Sequence, residues 1–148
     1  MTLDLEAWPK PIDSNPSNFW LAEGGKIGKD QGFVMDLGCS MAAFGVRLRN
    51  TRNAFIGDRS TKKFRVLGSI KENGPWEELL VATIEDSRSQ DPPPLQHLLF
   101  DNTVVISFVK FELLEYWGSG GGLQYFAIMS SHLMQPGFFM SSLSSRNG

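Results

Sequence analysis

Hydrophobic and polar residues alternate with a period of two along much of the chain. Between residues 44 and 49, Phe, Val and Leu alternate with Gly and Arg, and the same alternation runs from 63 to 66. A period of two places successive side chains on opposite faces of a strand, so these segments are predicted to be half-buried β-strands. The full pattern predicts strands at 32–38, 44–49, 63–66, 76–85, 95–100, 104–117 and 123–129.

Turn-forming sequences separate the predicted strands. Asn73-Gly74-Pro75, the prolines 92–94, Asp101-Asn102 and the glycine-rich stretch 118–122 all favour turns. Short strands at this spacing, without a long helical pattern, are typical of an antiparallel sandwich or barrel, so the predicted fold class is all-β. We expect residues 1–131 to form one domain and residues 132–148, which are richer in Ser, Gly and Pro, to form a C-terminal tail.

Length and charge narrow the function classes. A chain of 148 residues is long enough for one domain with a substantial core. Its net charge of −2 gives no general attraction to nucleic acid or to anionic lipid. No apolar run reaches the roughly 18 residues needed to cross a bilayer, and residues 1–10 lack the apolar stretch of a signal peptide.

Catalytic chemistry has little support in the sequence. The single cysteine, Cys39, cannot form an intrachain disulfide, and we expect a small buried or half-buried thiol there. The chain has no Gly-x-Ser-x-Gly, His-Glu-x-x-His or Cys-x-x-Cys motif. The sequence therefore predicts a protein that is not an enzyme.

Six of the seven basic residues between positions 47 and 65 are considered as one cluster in the sequence. Strand alternation favours placing most of them on the solvated faces of two strands, and the alternative is a basic patch that faces a ligand. They are Arg47, Arg49, Arg52, Lys62, Lys63 and Arg65.

The segment 13–20, with the sequence DSNPSNFW, carries three side-chain oxygen donors, from Asp13, Asn15 and Asn18. Hard cations such as calcium prefer oxygen ligands, and closely spaced Asp and Asn residues on an irregular loop supply them. Asx-rich segments that contain Pro also form plain turns by bonding their own backbone. The spacing alone leaves both interpretations open.

Four segments together resemble the discoidin domain, also called the coagulation-factor type C domain. They are 13–20 (DSNPSNFW), similar to the family's Asp-Gly-Asn-x-x-Thr-x-Trp calcium loop; 33–38 (FVMDLG); 64–69 with 74–76 (FRVLGS, GPW); and 109–113 with 122–126 (VKFEL, GLQYF). The resemblance spans about residues 10 to 130. It implies an antiparallel jelly-roll β-sandwich of the galactose-binding-domain-like group.

The resemblance also implies a structural calcium site. Two positions differ from the family, since Asn18 stands where Thr is usual and Gln124 where Glu is usual. Both keep a coordinating oxygen, but the second removes a charge and argues for weak binding. The implied ligands are the carbonyls of Lys10 and Leu123 and the side chains of Asp13, Asn15, Asn18 and Gln124.

The long polar loop 50–61 is the main candidate for ligand binding, because loops on a rigid scaffold commonly carry it. A sugar needs planar polar groups for its hydroxyls and an apolar face for stacking. Arg52, Asn53, Asp58 and Arg59 are candidates for the first and Phe55 for the second. The alternative is that Asp58 and Arg59 brace the loop and that Phe55 belongs to the core.

Trp117, beside the glycine run 118–122, is the second candidate for ligand contact. An exposed Trp offers a stacking surface, and glycines allow a ligand to approach the backbone closely. The alternative is a hairpin connection with an aromatic side chain packed at its base, which we favour slightly.

The predicted function is a non-catalytic binding module of discoidin type that recognises carbohydrate on glycans or glycoproteins. A protein–protein interaction or adhesion module is the alternative, and a phospholipid-binding module a more distant one. The resemblance suggests an extracellular location, although the sequence shows no export signal.

Overall fold

A computed structural model describes the backbone of residues 2–4 and residues 20–23, 26–28, 31–53 and 56–131. These parts contain seven strands and no helix: β1 (Thr2–Asp4), β2 (Trp20–Leu21), β3 (Gly32–Asn50), β4 (Arg59–Ser69), β5 (Glu77–Thr83), β6 (Leu95–Gly118) and β7 (Gly122–Ser131). The described residues therefore include no helix that could span a membrane. The predicted tail, residues 132–148, lies outside the described residues.

The strands follow the order β2-β7-β3-β6-β4-β5, and β1 joins β3 as well. Every pairing is antiparallel except that between β1 and β3, which is parallel. The predicted all-β class is confirmed. The strand positions follow the period-two pattern because side chains that alternate along a strand can bury one face and expose the other.

The two longest strands differ from the prediction, which divided each of them in two. In β3 the predicted break falls at a bulge, because Asp36 pairs with Phe108 but the next pair is Met41 with Ile106. Gly38 has a φ of 83° here, and its N–H donates to Asp36 Oδ1 at 2.8 Å. A bulge inserts unpaired residues and bends the strand without ending it.

Residues 101–102 in β6 do not form the predicted turn, because the strand continues through them. Ala43 pairs with Val104 and Gly45 with Leu99, so one residue of β3 faces four of β6. This is a second bulge.

Cys39 lies exposed in the first bulge, so the predicted burial of its thiol is wrong.

The bulges divide β3 and β6 between the two layers of a sandwich. Residues 32–36 of β3 pair with 108–112 of β6, which pair in turn with β4. Residues 41–49 of β3 pair instead with 95–106 of β6 and with β7. The inner faces of the two layers enclose the core, as in other sandwiches.

An aromatic cluster fills the centre of this core. The Phe33 and Phe111 rings stack at 5.2 Å, and Phe64 stacks on the other side of Phe111 at 5.3 Å. Phe126 of β7 meets Phe33 and Phe111 edge-on at 5.4 and 5.8 Å, which joins the two layers. Trp20 also packs edge-on against Phe33, at 5.4 Å. We call these five side chains the aromatic core.

Candidate ligand-binding site

Two loops that lie about sixty residues apart in the sequence meet at one end of the sandwich. The N–H of Ser119 donates to the carbonyl of Asp58 at 2.8 Å, and the N–H of Ser60 donates to the carbonyl of Gly120 at 2.9 Å. These bonds continue the ladder in which Arg59 pairs with Gly118. We call residues 51–53, 56–59, 86–88 and 118–121 the loop end.

Asn50 clamps the base of the polar loop. Its buried amide nitrogen donates to the Thr61 carbonyl at 2.8 Å, and its amide oxygen accepts from the N–H groups of Thr61 and Thr51 at 2.9 and 3.1 Å. The Thr61 hydroxyl donates to the Gly122 carbonyl at 2.7 Å. These bonds hold both ends of the loop at fixed positions. Polar composition pointed to the loop but not to the role of Asn50, because that role depends on its burial.

Asn53 and Asp58 form the centre of the loop end. Asn53 has a φ of 63°, and its side-chain nitrogen donates to Asp58 Oδ1 at 2.7 Å. The hydroxyl of Ser119 lies 3.3 Å from Asp58 Oδ2. The hydrogen bond from Asn53 is the main cause that lowers the pKa of Asp58 below its ordinary value. Asp58 therefore braces the loop, as the alternative interpretation expected, and presents a carboxylate that is ionised at neutral pH.

Three guanidinium groups at the loop end lie against glycine backbone. Arg59 and Arg88 fill space that a side chain on Gly120 or Gly118 would need, so the absence of a Cβ lets them approach the loop closely. Arg52 lies at ordinary contact distance from the corresponding position on Gly57. The distances from an ideal Cβ position on each glycine to the nearest guanidinium nitrogen are 3.6 Å from Gly57 to Arg52 Nη2, 3.1 Å from Gly120 to Arg59 Nη1 and 2.5 Å from Gly118 to Arg88 Nη1.

Arg88 is a residue of the loop end that the sequence did not identify. It binds Asp86 through Nε at 2.9 Å and Nη2 at 2.7 Å, and this pairing lowers the pKa of Asp86. The sequence around Arg88 only favours turns, and no local pattern there indicates a contact with Gly118, which lies 30 positions further along the chain. The packing of Arg88 on Gly118 and the approach of its carbonyl to Gly57 bring it to the site.

Arg52 and Arg59, two of the predicted ligand contacts, both lie at the loop end. Arg59 donates from Nη1 to the carbonyl of Ala22 at 2.9 Å, a bracing contact. Arg52 makes no hydrogen bond or ion pair with any residue of the described ranges, and its Nε is buried. The two guanidinium groups therefore keep donors that no acceptor among the described residues uses.

The apolar contribution to the loop end comes from Ile56 in the described part. Its side chain is 61% exposed at the tip of the loop. Phe55, the predicted stacking residue, lies outside the described residues.

Trp117 packs at the base of the loop 118–121, as the hairpin alternative in the sequence analysis predicts. Its indole N–H donates to the carbonyl of Ile84 at 3.0 Å, and the Lys62 ammonium lies 4.5 Å from the ring centroid. The side chain is half-buried. The adjoining Gly121 is buried, with its ideal Cβ position only 2.6 Å from the Leu113 methyl groups. In this geometry Trp117 fixes the start of the loop 118–121 to the segment that carries Ile84.

Three basic residues of β4, Lys62, Lys63 and Arg65, pair with acidic residues of the sheet. Lys62 and Lys63 lie 3.5 and 4.0 Å from the carboxylate of Glu115. Arg65 binds the buried Glu112, with Nε at 3.0 Å from Oε1. The basic run is therefore not one patch, because its β4 members are paired and Arg52 belongs to the loop end.

Of the six implied calcium ligands, Leu123 and Gln124 lie in the described part. Both are buried in β7, and Leu123 pairs with Trp20, where the 13–20 motif ends. Lys10, Asp13, Asn15 and Asn18 lie outside the described residues. Within the described ranges, no group of three or more His, Cys, Asp or Glu side chains could hold a metal ion. A carbonyl and a neutral amide suit calcium in chemistry but add no negative charge.

Searches against protein-family models and curated proteins find no match to the chain. Solved structures do match. The family 32 carbohydrate-binding module of Clostridium perfringens NanJ, in complex with galactose, has a TM-score of 0.61 and 14% identity over 80% of this chain and 83% of its own. CpGH89CBM32-5 of the same organism, in complex with GalNAc-β-1,3-galactose, has a TM-score of 0.61 and 17% identity over 80% and 79%.

A third match is the CBM32 of AlyQ in complex with 4,5-unsaturated mannuronic acid. It has a TM-score of 0.61 and 18% identity over 81% of this chain and 83% of its own. At these identities the likeness concerns the fold. The chain has the galactose-binding-like sandwich that these modules share with discoidin domains, which confirms the predicted architecture.

Proposed function

We propose that this chain is a non-catalytic carbohydrate-binding module whose ligand binds at the loop end. The observation that carries the proposal is the meeting of the polar loop 51–58 with the loop 118–121, which gathers amide, carboxylate and guanidinium groups at one end of the fold. Braced polar groups bind with little loss of conformational entropy, which favours affinity. The matched modules carry galactose, a GalNAc-galactose disaccharide and an unsaturated mannuronic acid, which supports a sugar as the ligand class.

A glycan array, followed by calorimetry on the sugars that bind, tests this proposal. The matched variants are Ile56→Ser at the loop end and Ile70→Ser at the far end of β4, because the two side chains are 61% and 64% exposed. Loss of an apolar contact surface should weaken sugar binding by about threefold to tenfold in Ile56→Ser. Ile70→Ser should bind like the parent. A flat array, or equal weakening by both variants, contradicts the proposal.

A protein-interaction module is the second candidate. The observation in its favour is a set of exposed apolar side chains away from the loop end, including Ile70, Leu99 and Val105. Exposed apolar surface is a common feature of interaction sites. Retained binding to a protein partner together with a flat glycan array would favour this candidate.

We also propose a structural calcium ion held by the six implied ligands. The pairing of Trp20 with Leu123 supports it, because it brings the end of the motif beside two of those ligands. Calcium at a hundred times its Kd should stabilise the fold by about 2.7 kcal/mol. Calorimetry and thermal melts should detect this in the parent and in Asp101→Ala but not in Asp13→Ala. An equal response in both variants excludes the assigned site.

A further inference from the structure

The charges at the loop end do not balance. Arg88 is already matched by Asp86 through two hydrogen bonds. Asp58 is the remaining carboxylate of the loop end, and it accepts hydrogen bonds from Asn53 and Ser119. Arg52 and Arg59, by contrast, have no carboxylate hydrogen-bond partner in the described part of the chain. Among the described residues of the loop end, one positive charge is therefore left over, in a protein whose net charge is −2.

The unmatched charge comes with unused donors. A guanidinium group has five N–H donors and no acceptor. Arg59 uses one of its donors on the carbonyl of Ala22. Arg52 uses none within the described ranges, and its buried Nε is shielded from water that could otherwise bond it. The contact with Gly120 and the bond to the Ala22 carbonyl position Arg59 before a ligand arrives, and the remaining N–H groups of both arginines have no acceptor among the described residues.

We propose that the sugar bound at the loop end carries a carboxylate, as a uronic acid or a sialic acid does, and that Arg52 and Arg59 bind it. This inference rests on the proposed carbohydrate-binding function and names the class of glycan. A carboxylate supplies the missing negative charge, and its two oxygens match the planar fork of a guanidinium group. The hydroxyls of a neutral sugar supply acceptors but leave the charge unmatched.

Binding should therefore distinguish acidic from neutral glycans of similar size. Calorimetry on the full chain would compare trigalacturonic acid with galactotriose, and 3′-sialyllactose with lactose, at about 20 mM and 150 mM NaCl. We expect at least one acidic sugar to bind about tenfold more tightly than its neutral partner at low salt. The preference should shrink at higher salt, because partly exposed charges are screened. The two acidic probes separate a uronate from a sialate as the source of the carboxylate.

Arg52→Gln should remove most of the preference for the acidic sugar, because it should weaken binding of the acidic sugar more than binding of the neutral one. Lys63→Gln is the matched control, because it changes the net charge equally but lies on β4 beside Glu115. That variant should keep the preference. Arg52→Lys retains the charge without the fork and should lose part of the preference, which provides a second test if Arg52→Gln does not fold.

The possible failures are distinguishable. Equal affinity for acidic and neutral sugars, unchanged by Arg52→Gln, overturns this inference and leaves the proposed function intact. No binding to any sugar overturns the proposed function itself. Binding to phosphatidylserine vesicles without binding to either acidic sugar also overturns the inference, and assigns the arginines to an anionic lipid surface.

Discussion

The aromatic core and the loop end are held together by different forces. Phe33, Phe64 and Phe111 stack at 5.2 to 5.3 Å, and the loss of apolar surface to water stabilises them without any specific hydrogen bond. The loop end has little apolar surface and depends on bonds such as that from Asn53 to Asp58 at 2.7 Å. A net intramolecular hydrogen bond contributes only about 1 kcal/mol. Stability should therefore reside in the core, and the loop end should be sensitive mainly to geometry.

Truncation of the central aromatic ring should have the largest effect. Phe111 is fully buried and contacts four other aromatic rings. Phe111→Ala should lower the free energy of unfolding by about 3 to 5 kcal/mol in urea denaturation. Leu99→Ala, at a side chain that is 65% exposed, should stay within about 0.5 kcal/mol of the parent. Similar losses in both variants would mean that the aromatic core is not the main source of stability.

A side chain at Gly118 should test the geometry of the loop end. Gly118 has a φ of 79°, and a Cβ there would collide with the Asp58 carbonyl and the guanidinium of Arg88. Gly118→Ala should lower the free energy of unfolding by about 1 to 3 kcal/mol, because it combines backbone strain with displacement of both loops.

The neighbouring variant Ser119→Ala is the control for Gly118→Ala, since it removes only an exposed hydroxyl that bonds Asp58. It should change stability by less than about 1 kcal/mol. If Gly118→Ala is equally mild, the two loops are not held as closely as the structure places them.

Two substitutions at Asn53 should separate strain from hydrogen bonding. Both Asn53→Ala and Asn53→Gly remove the bond to Asp58. Only alanine is strained at a φ of 63°, because glycine adopts left-handed conformations freely. Asn53→Ala should be less stable than Asn53→Gly by about 1 kcal/mol in denaturant titrations. The opposite order would show that the turn relaxes to a different backbone conformation.

The smallest effect should appear on acidification. Hydrogen bonding lowers the pKa of Asp58 in the folded protein, so its contribution to stability is complete above the ordinary titration range of an aspartate, near pH 4. That contribution should be lost as the pH falls below this range. Thermal melts between pH 2.5 and 6 should show a shallower acid limb for Asp58→Asn than for the parent, while Asp101→Asn in the β6 bulge serves as the control. If the melting temperatures of Asp58→Asn and the parent fall equally with pH, Asp58 does not contribute to the loss of stability in acid.

The core could be predicted from the sequence much more fully than the loop end. Phe64 and Val66 alternate with basic residues, and both are fully buried in the structure. The strand assignments hold for β5 and β7. β4 is longer than the predicted 63–66, because it runs from Arg59 to Ser69 and takes in the last three residues of the predicted loop 50–61. The pattern also predicts strand ends at the bulges in β3 and β6, where the strands continue. Asp101 and Asn102 favour turns locally, and the pairing of β6 with β3 on both sides of them keeps the chain extended.

At the loop end, composition identified Arg52, Asn53, Asp58 and Arg59 as polar candidates but could not separate a ligand contact from a brace. The structure assigns bracing bonds to Asn53, Asp58 and Arg59 and adds Arg88 to the group. Trp117 stays a prediction as a ligand contact, although its indole N–H is bound within the protein. Phe55 and four of the six calcium ligands lie outside the described residues, so those roles stay predictions as well.

The sequence alone determined the all-β class and the inward faces of parts of the strands, because the two-residue period of a β-strand is a local property of the chain. The tertiary structure decided where β3 and β6 bend, which loops meet and which arginines rest on glycine backbone. Those features depend on pairing between residues that are tens of positions apart, and no local pattern specifies the register of such pairing.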